Sequence, residues 1–136
     1  MATIDTYVQL LQGDARGQKF ARGTDTNNTA TSKGQIITSG NSAKGSYTQM
    51  IAATSYKTRW IMITSPHDGA NRNWAIDIAI GAGGSEQIIV PDLLINDVDL
   101  NLYSFPLTIK AGSRIAVRGG CTTNLATITL GLNLLN

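Results

Sequence analysis

The side chains best suited to catalysis are few, and the single histidine is the first to consider. His67 lies in Ser65-Pro66-His67-Asp68-Gly69, a turn-forming sequence typical of a solvated loop. Acyl transfer needs a nucleophile beside a base, and a third group that orients the base. The run Gly83-Gly84-Ser85-Glu86-Gln87 lacks the second flanking glycine of a nucleophile elbow and lies between predicted strands. We therefore expect no catalytic residue.

Carboxylates offer a second route to chemistry, because a pair of them can hydrolyse glycosides once the fold sets their separation. The candidates are Asp77, Glu86, Asp92, Asp97 and Asp99. The run that begins at Asp97 opens like a calcium loop, but Leu102 stands where glycine is needed and Thr108 where glutamate should close the site. Exposed acids on a strand, or a turn capped by Asn96 and Asp97, are favoured instead. The lone Cys121 provides no thiolate cluster, so we expect no metal.

Two further patterns are structural in our interpretation. Gly81-Ala82-Gly83-Gly84 imitates a phosphate loop, but a strand follows it where a phosphate loop needs a helix N-terminus. A tight turn with positive φ angles is favoured, so no nucleotide or other cofactor is expected. Trp60 and Trp74 lie inside apolar runs, which favours core positions over a sugar-stacking platform that would also include Tyr56.

Composition and charge exclude several classes of protein. The chain has 136 residues, of which 42% are hydrophobic and 15% charged, enough for one domain with one core. The net charge is +2 and the basic residues are scattered, so nucleic acid is not the expected partner. No run approaches the roughly 20 apolar residues of a membrane span, and the N-terminus lacks the features of a signal peptide.

Apolar residues alternate with polar ones in several short runs, which predicts strands. The clearest series are Ala126 to Leu134 and Trp74 to Ile80, each with one apolar face. The other predicted strands are Tyr47–Ala53, Arg59–Thr64, Gln87–Val90, Leu102–Lys110 and Arg114–Arg118. Ala111-Gly112-Ser113 is predicted to join the last two as a hairpin. The fold class is therefore all-β, an antiparallel β-sandwich or jelly roll.

Two domains of unequal character follow from the change in composition near residue 46. Residues 1–45 are mostly polar and are predicted to form an extended N-terminal arm, whereas residues 46–136 form the sandwich. The C-terminal run predicts an uncovered apolar edge, and thus a homo-oligomer closed by cyclic symmetry. The predicted oligomer interface comprises Leu93, Leu94, Ile95, Phe105, Leu134 and Leu135.

A series of motifs from Gly45 to Leu132 resembles a family of small virion-associated proteins of tailed bacteriophages. In chain order the motifs are Gly45-Ser46-Tyr47-Thr48-Gln49, Arg59-Trp60-Ile61-Met62-Ile63, the stretch from Asp77 through Gly81-Ala82-Gly83-Gly84-Ser85-Glu86-Gln87 to Leu94, the stretch Phe105 to Ala116, and the C-terminal strand. The resemblance implies a jelly-roll-like sandwich that is noncatalytic and commonly trimeric. It implies either a capsid decoration (cement) protein or a module of a tail or head fibre, and it transfers no catalytic or ligand-binding residue.

The short length favours the cement protein, because a fibre subunit usually carries a shaft or an anchoring domain. We expect a homotrimer made in the host cytoplasm and bound to the major capsid protein on the outer capsid surface of the virion. Basic residues of the arm would face acidic shell surface; these are Arg16, Lys19, Arg22, Lys33 and Lys44. The alternative is a receptor-binding tail or fibre module that recognises host-surface carbohydrate through exposed aromatic residues such as Tyr56 and Tyr103.

Overall fold

The structure, a computed structural model, describes residues 23–27, 33–65, 70–98 and 101–136, and these residues form nine strands and no helix. The strands are β1 (Gly23–Thr26), β2 (Gln35–Thr38), β3 (Thr48–Ile51), β4 (Thr58–Ser65), β5 (Asn73–Ile80), β6 (Gln87–Asn96), β7 (Asn101–Ile109), β8 (Ile115–Gly120) and β9 (Thr127–Leu135).

Two antiparallel sheets contain these strands. The first sheet has the order β1-β9-β4-β7, and β2 pairs with β9 as well. The second sheet has the order β3-β8-β5-β6. The predicted all-β sandwich is therefore confirmed, whereas the jelly-roll connectivity stays a prediction.

Period-two burial builds the core between the sheets. Ile128, Leu130, Leu132 and Leu134 of β9 are buried, and so are Trp74, Ile76 and Ile78 of β5. Each set occupies alternate positions, so both strands turn one apolar face inward. In β5 the intervening Asp77 is also buried, at 1% exposure, because other groups cover the outer face of the second sheet at that point.

The predicted hairpin at Ala111-Gly112-Ser113 is wrong. Strand β7 pairs with β4 in the first sheet, whereas β8 pairs with β3 and β5 in the second. The connection therefore crosses from one sheet to the other. Buried Thr54 holds the crossing, because its hydroxyl donates to the Lys110 carbonyl at 2.8 Å and accepts from the Ser113 amide at 3.1 Å. Turn residues specify a change of direction but not the sheet that receives the next strand.

The sandwich extends further toward the N-terminus than the predicted boundary at residue 46. Strands β1 and β2 both pair with β9, and Ile37 of β2 lies in the core at 0% exposure. Further along, the Gly45 amide donates to the Gly119 carbonyl of β8, in the second sheet, at 2.9 Å. Residues 33–45 are thus part of the sandwich and not an arm. Residues 1–22, most of the predicted arm, lie outside the described residues.

The C-terminal strand does not leave an open apolar edge. Leu134 pairs with Ile61 of β4 and with Asp25 of β1, so β9 is bonded on both edges near its C-terminal end. The unpaired edge expected from the sequence is absent at that point because β1, which that prediction did not include, fills it.

Candidate interaction surface

The densest group of charges lies on the outer face of the second sheet around Asp77. The Lys44 ammonium lies 2.5 Å from Asp77 Oδ1 and 2.5 Å from Asp92 Oδ1. Arg118 Nε donates to Asp77 Oδ2 at 2.9 Å, and the Asp92 amide donates to Asp77 Oδ1 at 3.0 Å. The Arg118 guanidinium also lies over the Tyr47 ring at 4.8 Å. Both oxygens of the buried carboxylate are therefore occupied by donors.

A bulge in β6 makes this arrangement possible. Pro91 and Asp92 together oppose the single residue Asp77, because the register shifts between the pairs on either side. Asp92 adopts φ 49°, which turns its amide toward the Asp77 carboxylate. Such bulges re-aim a residue out of the regular ladder.

The electrostatics keep the group ionised. Burial acts to raise the pKa of Asp77, but the hydrogen bonds from Lys44, the Asp92 amide and Arg118 outweigh it and hold that pKa below its usual range. Burial likewise acts to lower the pKa of Lys44, and the hydrogen bonds to Asp77 and Asp92 outweigh it and raise that pKa. A general acid needs a pKa near the working pH. Asp77 is therefore an anchor for its neighbours and not a proton donor.

A second buried carboxylate, Asp97, fastens the far end of the β5–β6 pair. It accepts from the Arg72 amide at 2.5 Å, from Arg72 Nε at 3.1 Å and from the Trp74 indole at 3.0 Å. Asp97 is 0% exposed, which rules out the exposed strand acid, the first alternative from the sequence. The second alternative, a turn capped by Asn96 and Asp97, is present: residues 97 and 98 form a turn, and the Asn96 side chain accepts from the Val98 amide at 2.9 Å. Glu86, a third candidate, accepts from Arg114 at 3.0 Å. These acids are engaged in separate ion pairs, and Asp99 and His67 lie outside the described residues.

Two of the five predicted capsid-contact residues, Lys33 and Lys44, lie in the described part of the chain. Lys33 is exposed, whereas Lys44 is bound to Asp77 and Asp92. Contact of this set with a capsid stays a prediction. Arg16, Lys19 and Arg22 lie outside the described residues.

The six residues of the predicted oligomer interface do not form one surface. Ile95 and Leu134 are core residues, at 1% and 0% exposure. Leu93 and Phe105 are partly buried and pack against the core. Because side chains alternate between the two faces of a strand, the residues next to these four in sequence point outward. Leu94 and Leu135 do face outward, but from different sheets.

A different surface has the character of a protein interface: the outer face of the first sheet. Cross-strand pairing places alternate residues of three strands in rows centred on Trp60, Met62 and Thr64 of β4. The nine positions, here called the uncharged face, are Trp60, Met62 and Thr64 of β4; Leu102, Ser104 and Pro106 of β7; and Gly131, Asn133 and Leu135 of β9. None of these residues is charged.

The two faces of the sandwich therefore differ in charge. All five ion pairs of the described residues join side chains of the second sheet or of its adjoining loops. On the first sheet, β7 and β9 contain no charged residue, whereas β1 contains Asp25 and β4 contains the exposed Arg59 just before Trp60. Leu102 is 59% exposed, and the Trp60 indole donates to the Ser104 hydroxyl. The alternation along β4 and β7 is the sequence signal for this face. The sequence does not show, however, that these two strands are neighbours in the sheet.

The aromatic residues divide between core and surface. Trp74 is in the core as predicted, but Trp60 faces outward, which corrects its predicted core position. Tyr56 is 58% exposed in the loop before β4. Tyr103 belongs to the inward-facing set of β7 and packs against the core, so it does not present a free ring.

The described residues contain neither a metal-binding cluster nor a membrane-spanning helix. No group of three or more histidine, cysteine, aspartate or glutamate side chains there is placed to hold a metal ion. None of the described segments forms a helix long and apolar enough to cross a membrane.

Comparison with known proteins does not assign the chain to a family. No protein family matches the sequence, and no curated protein does. Among solved structures, the chain is similar to an exo-β-1,3-galactanase from Phanerochaete chrysosporium with galactose, at 11% identity and a TM-score of 0.31. That match covers 90% of this chain and 36% of the galactanase chain.

Proposed function

We propose that this chain is a noncatalytic structural protein of a bacteriophage virion, a decoration protein that binds the outer capsid shell as a homotrimer and stabilises it. The observation that carries the proposal is a sandwich whose buried carboxylates are saturated by internal donors and whose first sheet presents nine adjoining uncharged positions on its outer face. Such a molecule is equipped for contact with proteins and not for proton transfer. The resemblance of residues 45–132 to virion-associated proteins supplies the identity of the partner.

Stabilisation of the shell would follow from mass action. A protein that binds only the assembled shell lowers the free energy of that state and raises its resistance to disruption. Of the cations assigned to an acidic shell surface, Lys33 is exposed, whereas Lys44 holds its own sandwich together. The proposal keeps Arg16, Lys19 and Arg22 in that set.

The test is shell binding by a truncated chain. Deletion of residues 2–44 would remove β2 with its core residue Ile37, so loss of binding could reflect unfolding. Deletion of residues 2–22 removes no residue of the described strands. We expect full-length protein to cosediment with particles that lack it and to raise their disruption temperature, and the 2–22 deletion to bind more weakly. Equal disruption temperatures with and without the full-length protein would contradict the proposal.

Carbohydrate binding is the second candidate, and the observation that favours it is the exposed Tyr56 ring together with the outward Trp60, whose indole is hydrogen-bonded to Ser104. Aromatic faces flanked by polar groups can stack on sugars. Binding to a glycan array that is abolished by Tyr56→Ala or Trp60→Ala would favour this function. Tyr103→Ala is unsuitable for the test, because that ring packs against the core.

A further inference from the structure

We propose that the uncharged face is the surface through which copies of this chain contact one another. The inference deepens the proposed function, because it replaces the interface expected from the sequence with a specific set of residues.

The composition is that of a subunit interface. Trp60, Met62, Leu102, Pro106 and Leu135 provide apolar area, and charge is absent from all nine positions. Depletion of charge and enrichment in tryptophan and methionine distinguish the buried centre of an interface from ordinary protein surface. The three positions of β7 are exposed, Gly131 is buried, and the remaining five are half-buried.

Charge favours a second copy as the occupant. Burial of a charged side chain costs free energy unless a group of opposite sign meets it in the contact. Two copies of the uncharged face can be buried against each other with no charge left unpaired. Burial of the outer face of the second sheet would instead desolvate Lys44, Asp92 and Arg118. The uncharged face also offers no charge to select a partner of opposite sign.

Size and borders indicate how the contact extends. Three strands spaced by about 4.8 Å, with three alternate positions each spaced by about 6.8 Å, cover roughly 14 Å by 20 Å. A stable contact buries about 800 Å² per partner, more than this patch alone provides. Strand β7, which contributes three positions of the patch, forms one border of it. This strand pairs with β4 alone among the described strands and carries no charge over its nine residues. The open edge of β7 lacks the lysines that usually protect edge strands, so we expect the contact to include this edge.

Charge insertion tests the assignment. Met62→Glu at the centre of the face and Leu102→Glu near its border should each raise the dissociation constant of the oligomer at least about 100-fold, because every copy then brings a like charge into the contact. Light scattering over a dilution series would measure this. The matched control is Leu94→Glu: Leu94 is 70% exposed on the outer face of the second sheet, and its substitution should leave the oligomer unchanged.

Tryptophan fluorescence gives an independent readout in the unsubstituted protein. Trp74 is fully buried in the core, so its emission should not respond to dissociation. Trp60 lies on the uncharged face, and its emission should shift to the red as dilution separates the copies. The Trp60→Phe variant should lose that shift.

The outcomes are decisive in each direction. Dissociation by the two glutamates on the face, and not by Leu94→Glu, supports the inference. A wild-type monomer at the highest concentration, persistence of the oligomer in folded Leu102→Glu, or equal dissociation by Leu94→Glu would overturn it. If Met62→Glu loses its circular-dichroism spectrum, Leu102→Glu decides. Cosedimentation of each variant with shells is scored separately, so failure of shell binding is distinguishable from failure of this contact.

Discussion

At the residue scale, Asp77 is the side chain on which the local structure depends most. It receives two cations and a backbone amide, and its carboxylate is 1% exposed. Asp77→Asn leaves Lys44 and Arg118 without their shared anion beneath a covered sheet face. We expect a loss of about 2–4 kcal/mol in the free energy of unfolding, measured by urea denaturation.

Asp92 supplies the matched control for that substitution. It contacts the same lysine, but its side chain is 69% exposed. Ion pairs in contact with water contribute little. Asp92→Asn should therefore cost less than about 1 kcal/mol, and asparagine tolerates the left-handed backbone at this position. Equal losses for the two variants would show that Asp77 is not the centre of the cluster.

The same cluster predicts how stability changes with pH. The pKa of Asp77 is lower in the folded chain than its ordinary value of 3.8, so its contribution is complete above that value and is lost as pH falls below it. The pKa of Lys44 is raised above 10.5, so its contribution is present below 10.5 and is lost as pH rises through the folded value. Wild type should thus exceed Asp77→Asn in stability by a constant amount near neutrality, and by less below pH 3.8. Urea denaturation at several pH values measures the difference, and a constant difference down to the lowest pH would contradict the assignment.

Asp77 also illustrates what the sequence leaves undetermined. Its place between Ile76 and Ile78 predicted a polar residue on the outer face, and the outward direction was correct. The burial of Asp77 was not predictable, because it depends on residues distant in the chain. The segment that contains Ala43 and Lys44 passes close over Gly120 of β8: a Cβ added to Gly120 would meet the backbone of this segment at 2.9 Å. The alternation within β5 contains no information about this segment.

At the element scale, the segment that follows β2 is fixed by a close approach at Gly45. A Cβ on Gly45 would lie 1.9 Å from the Thr38 carbonyl oxygen, which is backbone and has little room to move. We expect Gly45→Ala to lower the free energy of unfolding by more than about 2 kcal/mol, measured by thermal or urea denaturation. Gly83→Ala is the control, because nothing lies within 4 Å of the added atom; its effect should stay below about 1 kcal/mol. Similar losses at both glycines would contradict the close approach.

Strands with an unbroken apolar pattern were predictable. The runs over β5, β7 and β9 identified each strand to within one residue at its ends. Strand β6, the longest at ten residues, was predicted only as Gln87–Val90, because Pro91 and the bulge with Asp92 interrupt its pattern. Strand β2 has one buried side chain, Ile37, in four residues, so the sequence there contains too few apolar residues for any period to stand out. Its stability comes from pairing with β9, a tertiary interaction. The same limit explains why the domain boundary was placed inside the sandwich.

At the scale of the whole molecule, the two outer faces have different chemistry. The second sheet carries the ion pairs, and the first carries the uncharged face. The sequence allowed the prediction that apolar residues outside the core mediate association. It did not allow the residues of one common face to be chosen, because Leu94 and Leu135 cannot be assigned to opposite sheets until strand order is known.

This difference between the two faces predicts that the two contacts proposed for the chain respond differently to salt. Association through the uncharged face should be insensitive to sodium chloride, since no charges are screened, and should strengthen in sulfate, which favours burial of apolar area. Binding to an acidic shell through Lys33 and the basic N-terminal residues should weaken as sodium chloride rises. Light scattering measures the first contact and cosedimentation the second in the same buffers. An oligomer that dissociates as sodium chloride rises would show that ion pairs hold the copies together, and would place the contact on a surface other than the uncharged face.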